Sequence, residues 1–455
     1  MSQSEAKNFL LLGTFNSERF WRDDRLTRLP ALNDSEADNI VMAMDELLFV
    51  MCQDSDILIT HFKLNNAFKD YISELGFSFI NNGINIISPF SINNKENKDK
   101  SACQLLLETN DKDYYQTLLV SGIKISPYSV LPCTIKMCKA YGILYDLPEI
   151  NIVKKVNSKI YSKALANEIN ANIIGRIAYN HQELQEIGRE YLRSSPIVIK
   201  DEYGVSGKGN VLAFSDKNLQ KIVKHIAAQE HKGGYTQIIV EPFLDKELDF
   251  SCQLYIDAQG NSKILSIQKI FNNGFAYQGS CKAEDIFIDF LTKCGYVSQM
   301  EKVAKKLYED GYFGYVCVDS MLLKNGQLVP IVEVNARKSM GLINHHIDEF
   351  LSTFSLQSNL VYLSLGYSCE IEFHEILTTM QRQSVLFHPD CKRGIIPLSA
   401  NTLFINRELS DDKHIQKVYK GRFYVSVVGK DLKERGFLLE TLRNILVALG
   451  FRVYN

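Results

Sequence analysis

The feature that most constrains this 455-residue chain is a pair of strand-like runs, 315–323 and 327–335, joined through Lys324-Asn325-Gly326. Asn-Gly between alternating apolar runs is a strong signal for a tight antiparallel hairpin. Side chains alternate across a strand, so Glu333 and Asn335 share one face while Val334 turns into the core. Antiparallel pairing returns Asp319 to their side. Ile331, Val332 and Val334 mark the second strand as buried, and a buried carboxylate needs a partner or a metal. Two carboxylates and an amide oxygen at one spot are hard ligands, suited to Mg²⁺ shared with nucleotide phosphates. A solvated acidic edge is the competing reading, and it accounts poorly for Glu333.

Three further tracts carry weaker signals. Ile197-Val-Ile-Lys200 leads into Asp-Glu-Tyr-Gly204-Val-Ser-Gly207-Lys-Gly209. A lysine at a strand end reaches a phosphate, and glycines let backbone N–H groups approach the same anion. Taken alone, the tract reads equally as a mobile surface turn, and it is not a P-loop, because no Gly-Lys-Ser/Thr opens a helix. Gln237–Leu244 runs as a strand into Glu241-Pro-Phe243-Leu244, followed by Asp249. Its backbone suits an adenine edge with Phe243 and Leu244 as walls, and Asp249 suits ribose hydroxyls. An ordinary strand exit explains the same residues when they are read alone. Lys159 stands in the first turn of a helix predicted over 158–168, capped by Ser158 or Asn157. A cation there opposes the helix dipole unless an anion lies close by.

Composition narrows the class. The formal net charge of −2 offers no basic surplus for nucleic acid. No apolar run reaches the roughly 18 residues of a membrane span, and residues 8–13 read as a first strand rather than a signal peptide. The ten cysteines are scattered, and Cys133 and Cys138, the closest pair, lack zinc spacing. Free thiols in a reducing cytoplasm are expected, with no disulfide.

The first part of the chain alternates strand and helix signals. Strands are expected at 8–13, 47–50, 57–60, 83–87 and 118–123, helices at 67–75 and 135–147, and a surface loop at 93–100. That pattern predicts a small α/β domain with a mainly parallel sheet. Beyond Pro148, strands at 196–200, 249–256 and 262–270 and a helix at 300–310 precede the hairpin. The last hundred residues read as a separate unit, with a strand at 423–428 and a helix at 432–449.

Taken in order, Lys159, Lys200 with its glycine tract, Glu241-Pro-Phe-Leu with Asp249, and Asp319…Glu333-x-Asn335 resemble the ATP-grasp superfamily across about two hundred residues. Glu333-Val-Asn-Ala-Arg-Lys-Ser-Met340 looks most like the pheganomycin-type peptide ligases; a butirosin-pathway type that loads glutamate onto a carrier protein is the alternative. The resemblance implies a mixed α/β and α+β architecture. Two α+β subdomains would clasp ATP over 149–355, between an N-terminal pre-ATP-grasp domain at 1–148 and a small C-terminal extension at 356–455. It implies ATP with Mg²⁺, for which Mn²⁺ substitutes. Lys159, Lys200, Gly204, Gly207 and Gly209 would hold phosphates, Glu241, Phe243 and Leu244 adenine, and Asp249 or Glu247 ribose. Asp319, Glu333 and Asn335 would bind the metal, and Arg337 with Lys200 would act on the reacting groups. The implied chemistry is ADP-forming amide synthesis through an acyl phosphate, with small-molecule substrates. A thiol acceptor on a carrier protein, a homodimer and a non-catalytic nucleotide-binding module stay open. His345 and His346 read as substrate contacts or as polar residues at a helix start, and Lys392-Arg393 as a surface cluster.

Overall fold

The computed structural model describes residues 8–87, 100–120, 122–204, 209–368, 370–410 and 418–455. Gly207 and nearly all of the 93–100 tract lie outside them. Three sheets organise the rest. The first is wholly parallel, in the order Ile80–Asn81, Ile57–Ile59, Phe9–Leu12, Lys124–Pro127. Its strands are short, and the central residues Leu10–Leu12 and Ile57–Ile59 are buried on both sides, as expected of apolar runs that show no alternation.

The helix expected at 135–147 runs only over Thr134–Tyr141, where Gly142 at φ +67° ends it, and three strand expectations for this region fail, each for a local reason. Residues 47–50 lie in a 3₁₀ stretch, Ala43–Met51, with Leu47, Leu48 and Phe49 fully buried. A continuous apolar run has no period, so it does not separate helix from strand. Residues 83–87 form no strand; the edge strand is Ile80–Asn81. Beyond it the buried Asn82 side chain replaces the ladder, accepting from Thr60 N at 2.9 Å and donating to Thr60 O at 2.8 Å. Of residues 118–123, Ser121 lies outside the described residues, Leu118 ends helix Lys112–Leu118, the others form no strand, and the strand begins at Lys124.

The second sheet is large and antiparallel. Its order is Leu328–Asn335, Gly314–Leu323, Lys246–Ile256, Ser262–Asn273, Ala276–Lys282, Ser358–Tyr367, Tyr419–Val428, Gly394–Pro397, with Arg452–Val453 also on Ser358–Tyr367. The residues beyond 355, read above as a separate unit, thus extend the sheet that carries the acidic hairpin. They also pack on the N-terminal part: the Phe68 and Phe373 rings meet edge to face at 6.0 Å, and Tyr71 Oη donates to Phe387 O at 3.0 Å. Glu46, fully buried, accepts from the backbone N–H groups of Ala400, Asn401 and Thr402, the start of helix Asn401–Glu408.

The third sheet, in the order Arg176–Ala178, Ile238–Pro242, Ile197–Asp201, Asn210–Ala213, is antiparallel and has its own core. Helices His181–Leu192 and Asp216–Glu230 back it, capped by the side chains of Asn180 and Ser215. It faces the acidic hairpin across a cleft. Among the described residues no helix is long and apolar enough to cross a membrane, and nine cysteines are free.

Candidate active site

The hairpin pairs Asp319 directly with Glu333 and Cys317 with Asn335, so all four side chains share a face. Val318 and Val334, on the other face, are fully buried and hold the ribbon against the core. Asn335 Nδ2 donates to Asp319 Oδ2 at 2.9 Å. Burial, together with the Glu333 charge alongside, pushes the Asp319 carboxyl up to about 7. Two carboxylates side by side repel, and a cation between them removes that cost. The donor set therefore fits a hard divalent ion. Among the described residues no three His, Cys, Asp or Glu side chains converge on a metal position. Two carboxylates and one amide leave room for phosphate oxygens, which suits Mg²⁺ arriving with a nucleotide.

Lysines from two elements line the cleft beside this acidic face: one helix packs on the hairpin strand itself, where Val334 N donates to Ser162 Oγ at 3.0 Å, and strand Ile197–Asp201 belongs to the facing sheet. Helix Lys159–Glu168 starts at Ser158, whose Oγ accepts from Ile160 N at 3.1 Å and donates to Glu202 Oε1 at 2.6 Å. Lys159 Nζ donates to Glu333 Oε1 at 2.7 Å and to Gly204 O at 3.0 Å. One turn later Lys163 Nζ donates to Glu241 Oε1 at 2.8 Å. Lys200, from strand Ile197–Asp201, reaches Glu241 Oε2 at 2.6 Å. Burial works against the Lys200 charge, but Glu241, with Glu333 and Asp249 beyond it, outweighs burial and holds its pKa above the ordinary lysine value. For Lys163 burial wins and the pKa falls. Glu241 stays ionised, its pKa depressed because the two lysines outweigh its own burial.

Glu241, expected beside adenine, lines the cleft with its carboxylate joining Lys163 and Lys200. Phe243, 45% exposed, and Leu244 line the cleft next to it. Asp249 accepts from Asn272 Nδ2 at 2.6 Å and pairs with Lys246. Glu247, also at the cleft, is exposed. Arg337 is tightly held: Nε donates to Glu18 Oε1 at 2.8 Å, Nη2 to Asn335 Oδ1 at 3.0 Å and Nη1 to Tyr128 Oη at 3.3 Å. His345 and His346 pair with Glu349 on their own helix and are not among the cleft's lining residues. Arg393 pairs with Glu434.

The cleft holds about 750 Å³ and is lined by Lys159, Lys200, Gly204, Glu241, Phe243, Leu244, Asp249, Asp319, Glu333, Asn335 and Arg337. That volume lies within the roughly 300–1,000 Å³ of small-molecule sites. Lys163 and Glu18 escaped the sequence reading. Lys163 had a signal, four residues after Lys159 on one helical face. Glu18 had none, since only folding brings it to a residue 319 positions away.

Residues 158–368 match the family described as carbamoyl-phosphate synthase L chain, ATP binding domain. The chain is similar to the [butirosin acyl-carrier protein]–L-glutamate ligase of Niallia circulans, 22% identical over 315 residues, 68% of this chain and 67% of that one. Among solved structures it is similar to the L-amino acid ligase of Bacillus licheniformis, with a TM-score of 0.51, 14% identity and 99% of each chain covered. It is also similar to the biotin carboxylase domain of the Hydrogenobacter thermophilus 2-oxoglutarate carboxylase in complex with MgADP, with a TM-score of 0.52, 13% identity and 98% and 90% of the two chains covered. These two likenesses establish a common fold.

Proposed function

We propose that this chain, an ATP-grasp ligase that uses ATP and Mg²⁺, joins a carboxylate to an amine through an acyl phosphate, in the making of small peptides or related natural products. The observation that carries the reading is the meeting of Asp319, Glu333 and Asn335 with Lys159 and Lys200 in one cleft.

A carboxylate is a poor electrophile until one of its oxygens is made into a leaving group. Its oxygen attacks the γ-phosphorus of ATP, the bond from that phosphorus to the β–γ bridging oxygen breaks, and ADP departs. The amine nitrogen then attacks the acyl carbon, the carbon–oxygen bond to phosphate breaks, and the nitrogen gives up a proton. Protein assistance to such a transfer is mainly positioning and charge neutralisation. Lys159 and Lys200 would hold the phosphates. Asp319, Glu333 and Asn335 would hold Mg²⁺, which supplies further positive charge between phosphates when bound. Arg337, kept rigid by Glu18 and Asn335, would meet the oxyanion of the tetrahedral stage. Phe243 and Leu244 would wall the adenine, and Asp249, rather than the exposed Glu247, would take the ribose. Gly204 and Gly209, at the ends of the glycine tract, would allow close approach to phosphate. The chain divides for this purpose near 148 and 355.

Similarity to the butirosin ligase favours a second reading, in which the acceptor is the thiol of a carrier protein. A non-catalytic nucleotide module is the third reading, and the intact acidic set weighs against it. The test is ADP release against amino acids supplied singly and in pairs, with and without a carrier protein, with mass detection of products. Amide products support the first reading and a loaded carrier the second. ATP binding without turnover on any combination favours the third.

A further inference from the structure

We propose that Arg22 is a positioning residue that sets the strand end carrying Lys200, acting through Asp201 from a strap formed by residues 22–29. This rests on reading Lys200 as a phosphate contact.

The strap belongs by sequence to the N-terminal part of the chain but is sewn onto the small third sheet. Leu26 forms a parallel bridge with Tyr235, Thr27 N donates to Tyr235 O at 2.9 Å, and Tyr235 N donates to Arg25 O at 3.0 Å. Gln229 exchanges two bonds with the Arg28 backbone, both at 2.9 Å. Leu29, 3% exposed, is part of that sheet's own core. Just before the strap, Glu18 holds Arg337. One short segment therefore touches both the phosphate wall and the reaction-side cation.

Arg22 sits at the centre of this connection. Its side chain is 6% exposed, and Nη2 lies 3.8 Å from Asp201 Oδ1. The same oxygen accepts from Leu29 N at 3.1 Å. Nη2 also donates to Leu26 O at 3.3 Å and to Thr27 O, which closes the strap on itself, while Nε is buried without a partner. Asp201 directly follows Lys200, and its N–H donates to Gly209 O at 2.8 Å. Gly209 has φ +84°, and a Cβ there would lie 3.1 Å from Asp201 Oδ2. The carboxylate thus sits against the far end of the glycine tract. A buried ion pair returns little net stability, because desolvation offsets the attraction. What it does well is define geometry, and here the geometry defined is that of Lys200.

The experiment uses the full chain and titrates two probes, AMP and a non-hydrolysable ATP analogue with Mg²⁺. Arg22→Gln should weaken the analogue about tenfold while leaving AMP, which carries no β- or γ-phosphate, nearly unchanged. Arg22→Lys should recover much of the loss. Equal weakening of both probes means a merely structural role, and no weakening of either means no role; each overturns the proposal. Asp201→Asn, close in shape, is read the same way and decides the matter should Arg22→Gln fail to fold. Lys200→Ala separates the two layers: if it leaves the analogue's affinity intact, the phosphate reading itself fails, whatever Arg22→Gln does.

Discussion

Lys159 Nζ and Glu333 Oε1 lie 2.7 Å apart although 174 positions separate them in the chain. The lysine proposed for phosphate and the carboxylate proposed for metal satisfy each other within the cleft. Each is thereby held in place without the cost of an unpaired buried charge. Mg²⁺ and triphosphate would take over both partners at once, one for each.

Glu333→Gln keeps the shape of the side chain but removes the charge. ADP release should fall by at least about 100-fold, while the variant stays folded with a lowered melting temperature, because Lys159 loses its partner. Unchanged turnover in a folded variant would sink the metal assignment.

Glu241→Gln leaves Lys163 and Lys200 facing each other without their shared carboxylate. Removing one side of a buried charge cluster costs about 3 kcal/mol, which should appear as a lowered denaturation midpoint. A Mg²⁺–ATP analogue should restore part of the loss by binding the folded state. An unaltered midpoint would mean that the lysines do not depend on Glu241.

Arg337→Lys preserves the charge but not the fork. One ammonium does not span Glu18, Asn335 and Tyr128 as the guanidinium does. Turnover should drop about 100-fold, with nucleotide affinity near that of the parent. Parent-like kinetics would exclude Arg337 from the reacting centre.

Glu46 predicts a pH effect far from the cleft. Burial pushes its carboxyl up to about 8, against the opposing pull of three backbone N–H groups. Between pH 4.5 and 8 the folded protein keeps a proton that the unfolded chain gives up, so this group's contribution to stability falls as pH rises. Glu46→Gln does not titrate. Urea midpoints at several pH values across that window should decline more steeply for the parent than for the variant. Parallel curves would refute the assignment.

Residues near one another in the chain, acting through local rules, were enough to define the hairpin. Asn325-Gly326 and strand alternation made Asp319, Glu333 and Asn335 legible as one face, because side chains alternate along a strand; the bulge between Asp319 and Met321, which sets Asp319 opposite Glu333, was not legible. Ser158 as a cap and the core position of Val334 were legible for similar reasons. The run 47–50 was not, since a segment buried on every side has no period. The electrostatics of the cleft were not legible either. Glu241 bridging Lys163 and Lys200, Glu18 gripping Arg337, and Arg22 reaching Asp201 all join residues distant in the chain. Such contacts exist only once strands and helices distant in the chain pack together, and no local rule of the sequence foretells which charges that packing brings into reach.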